Sequence, residues 1–180
     1  MPDGHERHAV PSVLFLCTGN AARSVIAGAA LAQHLPSAVI ATAGTFVVEG
    51  QPMSIRTRAA LASVGVPAPE HRSRQAIEDE LGRADVIVAL APEHVEWVRR
   101  ELPGLAARTA TLRRLCRDLH AGSAPLADRL ASLDLGIVEL QGWEEVVDPG
   151  GGETPVFEQC AREIVELVPV LAAALTAPPR

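Results

Sequence analysis

Ser12-Val13-Leu14-Phe15-Leu16-Cys17-Thr18-Gly19-Asn20-Ala21-Ala22-Arg23-Ser24 is the stretch from which the rest of the chain is read. Its first five residues form a short apolar run that fits a buried strand. Gly19 and Asn20 are turn formers. Ser24 to Leu35 is rich in Ala and reads as a helix, with Gly28 allowing close approach to a sheet. A strand, a tight loop and a helix thus follow one another within two dozen residues.

The same alternation continues outward. Ala38 to Ala43 is a second candidate strand, and Ile55, Ala59, Leu61 and Val64 mark one face of a helix from Ser54. Ala84 to Leu90 is a third strand. Pro92 then suits a helix start, continued by Val95, Val98 and Leu102. Thr109 to Leu112 is a fourth strand. Leu126, Leu130, Leu133, Ile137 and Leu140 predict an amphipathic helix over Pro125 to Leu140, with Gly136 weakening its second half. Phe157, Cys160, Ile164, Val168 and Leu171 mark a last helix. Strands alternating with helices imply an α/β fold, a parallel sheet covered on both faces. Ligands of such sheets bind outside the carboxyl ends of the strands, where Cys17 lies.

Composition bounds the rest. The 180 residues are 48% apolar but only 3% aromatic, with no Tyr. The core is therefore built from Ala, Val, Leu and Ile. A formal charge of -6 argues against a nucleic-acid binder, whose affinity comes from Lys and Arg. Cys17, Cys116 and Cys160 are scattered, with no metal-ligand spacing, and imply free thiols in a reducing compartment. Val13 to Leu16 is too short for a signal-peptide core, and Leu167 to Leu175 too short to span a bilayer. The expectation is a soluble, cytoplasmic protein with no membrane partner. Residues 1–11 read as a loose leader and 12–176 as one domain, with a helical insertion at about 120–142. No signal of oligomeric state is present.

The loop from Cys17 to Arg23 carries the chemistry. Successive backbone N–H groups in such a turn form an anion cradle, and the following helix adds its positive end. Gly19, Ala21 and Ala22 leave the backbone open to phosphate oxygens, with Thr18, Asn20 and Ser24 completing the binding loop. Helix N-termini and a nearby Arg lower a thiol pKa to roughly 3.5–7.5, so Cys17 is expected as a thiolate nucleophile. Arg23 has the planar fork that grips two phosphate oxygens. Ser24 can donate its hydroxyl to the sulfur. The plainer alternative is a buried Cys at a strand end beside a surface Arg.

Val13 to Ala30 resembles the signature of the low-molecular-weight protein tyrosine phosphatase family, whose superfamily includes thioredoxin-coupled arsenate reductases. The resemblance continues through Thr42-Ala43-Gly44-Thr45, His71-Arg72-Ser73-Arg74-Gln75 and Asp148-Pro149, leaving out Pro125 to Leu140. It implies a four-stranded parallel sheet flanked by helices and a two-step hydrolysis through a cysteinyl-phosphate, without metal or cofactor. By position it makes Asp148 the acid that protonates the leaving oxygen, and later the base for water. Gly150 to Gly152 then suit a loop that closes over substrate. The resemblance also implies that Thr42 and His71 hold Asn20 in place. Phe46 is either a pocket wall or, the favoured reading, a core residue.

The chain departs from the pattern at several points. Ala22 replaces a second loop cysteine, Val25 a common Pro, and Gly150 and Gly151 an aromatic pair. Cys116 and Cys160 sit at helical spacing and are expected to be packing residues. The implied substrate is a phosphorylated protein, through phosphotyrosine or a similar ester, or a small aryl phosphate. Phosphoarginine, arsenate reduced with an external thiol, and phosphate binding without turnover are the competing readings.

Overall fold

A computed structural model describes residues 10–176. Most of the expected leader, residues 1–9, lies outside the described residues. The strands are β1 (Ser12–Cys17), β2 (Val39–Gly44), β3 (Val86–Ala89) and β4 (Thr109–Thr111). They form one four-stranded sheet in the order β2-β1-β3-β4, every neighbouring pair parallel. The helices are α1 (Arg23–His34), α2 (Ile55–Ser63), α3 (Glu78–Leu81), α4 (Pro92–Glu101), α5 (Leu112–Asp118), α6 (Leu126–Ala131) and α7 (Thr154–Leu175).

Alternation along β1 explains why both faces are covered. Val13 and Phe15 pack with residues of α1, α5 and α7 into one apolar cluster. Leu14 and Leu16 point the other way, into a second cluster with Leu81 of α3 and Val98 of α4. Strand side chains alternate with a period of two, so a wholly apolar strand needs cover on both sides. On the first face α1 lies close to β2. A Cβ placed on Gly28 would stand 3.0 Å from Thr42 Cγ2 and 3.4 Å from Ile40 Cγ2.

β1 lies between β2 and β3, so the order of connection reverses between β1 and β3. The crevice at the carboxyl ends of these two strands is the expected ligand position. Two segments meet there, the loop after β1 and the first turn of α4. Val146 joins them, its N–H donating to the Leu90 carbonyl at 2.9 Å.

Three expectations are corrected. The helix over Pro125 to Leu140 ends at Ala131. Asp134 then takes a left-handed conformation, φ 51°, and its carbonyl accepts from both Ile137 and Val138. Of the expected stripe Leu130 is buried and Leu126, Leu133 and Leu140 are half-buried, but Ile137 is 84% exposed, so the stripe is only partly covered, and by an irregular chain in place of a continuous helix. Arginines satisfy the carbonyls of this irregular stretch: Arg99 donates to those of Leu135 and Val138, and Arg114 to that of Glu139. The second correction concerns α2, which buries Thr57, Ala60 and Leu61 and leaves Ile55 exposed. Phe46, expected in the core, is 83% exposed.

Candidate active site

The loop between β1 and α1 is held from below and from both sides. Cys17 is buried at the end of β1, its Sγ 3.0 Å from Ser24 Oγ in the first turn of α1. Among the described residues no side chain caps the start of α1. Its first N–H groups therefore take no side-chain cap, the condition under which a helix N-terminus can accept an anion. Gly19 and Ala21 are exposed and Ala22 half-buried, which leaves one side of the loop open.

Asn20 organises the loop. It is fully buried and takes φ 50°, a left-handed conformation that Asn tolerates better than most residues. Its Nδ2 donates to Ser24 Oγ at 3.0 Å, and its Oδ1 accepts from the Arg74 N–H at 2.9 Å. Its carbonyl lies 2.7 Å from His71 Nε2. Thr42, expected beside it, is not among its hydrogen-bond partners in the described residues. Its methyl packs on α1 at Gly28 instead, because β2 turns that side chain toward the helix.

The outer segments close on the same loop. The Thr45 N–H donates to the Cys17 carbonyl at 2.9 Å, and the Phe46 N–H to the Thr18 carbonyl at 3.0 Å. Thr57 Oγ1 donates to the Ala21 carbonyl at 2.9 Å. Gly44 makes this approach possible. A Cβ there would come within 2.4 Å of the Thr18 carbonyl and 2.9 Å of the Asn20 nitrogen. Gly44 stands within the Thr42 to Thr45 motif, but that motif does not reveal its task. Its role lies in a contact between β2 and the loop, which no local pattern encodes.

Arg23 is 3% exposed, with Nη2 3.2 Å from Asp148 Oδ2. Asp148 is half exposed, and its other oxygen accepts from the Gly150 N–H at 2.9 Å. The Asp-Pro segment thus meets the far end of the loop, 125 residues away in sequence. Cys17, Arg23, Ser24 and Asp148 converge on one small region.

A family model described as low molecular weight phosphotyrosine protein phosphatase matches residues 12–131, more than half of the chain. The chain belongs to this family. The match agrees with the resemblance carried by the first loop, and Asp148 lies beyond the matched span. Among curated relatives, a protein-arginine-phosphatase of Geobacillus stearothermophilus is 26% identical, covering 91% of this chain and 95% of its own length. The low molecular weight protein-tyrosine-phosphatase PtpB of Staphylococcus epidermidis is 26% identical over 87% of this chain and 93% of its own. The solved YwlE arginine phosphatase from Geobacillus stearothermophilus superposes with a TM-score of 0.71 at 26% identity, over 90% of each chain.

Within this phosphatase the other two thiols are set apart by burial. Burial pushes Cys116 up to about 11, against a smaller downward pull from the Leu171 backbone and from Arg113. Burial likewise pushes Cys160 up to about 12, with Arg23 pulling the other way. Both thiols stay protonated near neutral pH and are poor nucleophiles. No helix among the described residues is long and apolar enough to cross a membrane.

Proposed function

We propose that this phosphatase hydrolyses phosphomonoesters on protein side chains, through a cysteinyl-phosphate on Cys17. The observation that carries the reading is the meeting of Cys17, Ser24, Arg23 and Asp148 around one open backbone loop. The phosphate sits in the loop of Thr18 to Ser24, its oxygens on backbone N–H groups and the Arg23 guanidinium.

In the first step Cys17 attacks phosphorus as the thiolate, the ester P–O bond breaks, and Asp148 gives its carboxyl proton to the leaving oxygen. In the second step water attacks phosphorus and passes a proton to the Asp148 carboxylate. The S–P bond breaks, and the thiolate leaves with a hydrogen bond from Ser24 Oγ, 3.0 Å away. Arg23 offsets charge on the equatorial oxygens in both transition states. Asn20 and His71 hold the loop backbone through their mutual contact and the Ser24 bond.

Protein phosphotyrosine is the leading substrate. Phe46 supports it, an exposed ring whose backbone is bonded to Thr18 at the rim of the loop. Phosphoarginine is the second reading. Glycines rather than aromatic rings follow Asp148-Pro149, and the Asp148 carboxylate is half exposed, so a substrate guanidinium can reach it from the side away from Arg23. The arginine phosphatase among the relatives adds to that reading.

Metal-free hydrolysis of an aryl phosphate by wild type and Cys17→Ala tests the reaction. A phosphotyrosyl peptide and a phosphoarginyl peptide of the same sequence test the substrate. Activity that survives Cys17→Ala refutes the nucleophile. A preference for the phosphoarginyl peptide reverses the order of the two substrates.

A further inference from the structure

The first turn of α4 carries a histidine that the two-step hydrolysis does not use. His94 is 1% exposed. Its Nε2 lies 3.0 Å from Thr18 Oγ1, and its Nδ1 is buried without a hydrogen-bond partner among the described residues. Thr18 Oγ1 also lies 3.4 Å from Glu93 Oε1. We propose that His94 is a positioning residue for the phosphate loop. Its Nε2–H donates to Thr18 Oγ1, and Thr18 donates in turn to Glu93, so that the residue after Cys17 is fixed to α4. The inference rests on the reading of this loop as a phosphate cradle.

The direction of the bonds follows from donor and acceptor counts. A neutral imidazole has one donor and one acceptor, a hydroxyl has one hydrogen, and a carboxylate only accepts. With the proton on Nε2, Thr18 keeps its hydrogen for Glu93, and only a bare Nδ1 is left over. With the proton on Nδ1, a buried N–H would have no partner, and Thr18 would have one hydrogen for two acceptors. Buried N–H groups without partners are the rarer outcome in proteins.

Charge around the ring favours the same state. The groups that face it are Arg23, Asp148 and Glu93. Burial first, and then the Arg23 charge, push His94 down from 6.5 to about 3, with Asp148 pulling the other way. His94 therefore stays neutral while Asp148 gives up its proton in the first step and regains one in the second. A histidine that titrated near neutrality would change the charge beside Arg23 at the working pH.

Position completes the argument. The loop after β1 and the first turn of α4 flank the point where the strand order reverses. Thr18 is held there from both sides, its carbonyl by the Phe46 N–H after β2 and its hydroxyl by His94 after β3. A loop that must place its N–H groups to within about 0.5 Å needs such support. Sequence reading missed His94 because 76 residues separate it from Thr18.

The test compares wild type with His94→Ala, His94→Gln, Thr18→Val and the double variant His94→Ala/Thr18→Val. Binding of inorganic phosphate is measured by calorimetry, and the histidine ring nitrogens are followed by nitrogen-15 NMR. His94→Ala and Thr18→Val are each expected to weaken phosphate binding about 3- to 10-fold, the worth of one hydrogen bond. The double variant is expected to be no weaker than the single ones, since both remove the same contact. His94→Gln, whose amide N–H reaches the Nε2 position, is expected to recover most of the affinity. The spectra are expected to show a neutral ring protonated on Nε2 from about pH 5 to about pH 8. Additive losses in the double variant, a Gln variant no better than Ala, or a proton on Nδ1 overturn the role of His94 alone. A wild type that binds no phosphate overturns the cradle and the role together. If His94→Ala does not fold, His94→Gln, Thr18→Val and the spectra still decide.

Discussion

Gly44→Ala puts the architecture of the loop under the sharpest strain. The new methyl would stand 2.4 Å from the Thr18 carbonyl and 2.9 Å from the Asn20 nitrogen. Real Cβ atoms keep at least 3.0 Å, so Thr18 must retreat by about 0.6 Å. The end of β2 cannot give way instead. The Gly44 N–H donates to the Arg74 carbonyl at 2.9 Å, and the Gly44 carbonyl accepts from the Ala76 N–H at 2.8 Å. The displacement therefore falls on the loop.

A shift of this size exceeds the tolerance of about 0.5 Å for a reactive constellation. A misplacement of about 1 Å costs about 100-fold, so kcat/KM for an aryl phosphate should fall about 10- to 100-fold. Overpacking should cost about 1–3 kcal/mol of stability. At about 2–4 °C per kcal/mol in a chain of this size, Tm should drop by about 2–12 °C. Gly104→Ala is the control, because nothing among the described residues lies within 4 Å of its added Cβ. Its kinetics and Tm should match wild type. If Gly44→Ala keeps both wild-type kcat/KM and wild-type Tm, the tight approach of β2 to the loop is refuted.

Three further outcomes are expected. Asp148→Asn should lower kcat on a phosphotyrosyl peptide about 100- to 10,000-fold, the range of general acid–base catalysis, and much less on an ester whose leaving group needs no proton; steady-state kinetics on both esters checks this. Glu144→Gln should destabilise the fold by about 1.5–3 kcal/mol at neutral pH, because buried Arg114 would lose its two bonds to a charged carboxylate and keep only Asp118, 3.5 Å away, as an anionic partner; urea unfolding reads the loss. Burial raises the Glu144 carboxyl, but bonds from Arg114, Thr111 and the Gln141 backbone outweigh it and hold it below its ordinary 4.5. Its contribution is therefore full above that value and lost as pH falls through the depressed one, so wild type should converge toward Glu144→Gln in acid. Iodoacetamide at mildly alkaline pH should leave Cys116 and Cys160 of the folded protein unlabelled, and inactivation should track Cys17 alone by peptide mass mapping.

The parts of the fold that were legible are those encoded locally. β1, the loop and α1 follow from an apolar run, a Gly-Asn turn and an Ala-rich stretch within one short segment. Pro92 starts α4, and the spacing from Phe157 to Leu171 lies within α7. The stretch over Pro125 to Leu140 misled because apolar residues at helical spacing can also be buried by an irregular chain. Asp134 breaks the helix there through its backbone, and arginines from α4 and α5 supply the donors. Ile55 misled because it is the first residue of its helix, where the buried face has not yet begun. Gly44, His94 and Thr57 reach the loop only through tertiary contacts, so no spacing pattern carried them.

The central claim is a covalent bond between Cys17 and the phosphoryl group. Asp148→Ala, mixed with an aryl phosphate whose leaving group departs without a proton, should slow the second step and let the intermediate accumulate. Acid quenching within the first turnover, followed by mass mapping of the peptide that holds Cys17, reads it directly. One phosphoryl group is expected on Cys17, absent when the substrate is omitted and absent in Cys17→Ala. Turnover with no phosphoryl group on Cys17 at any time, or with the group on another residue, would contradict it.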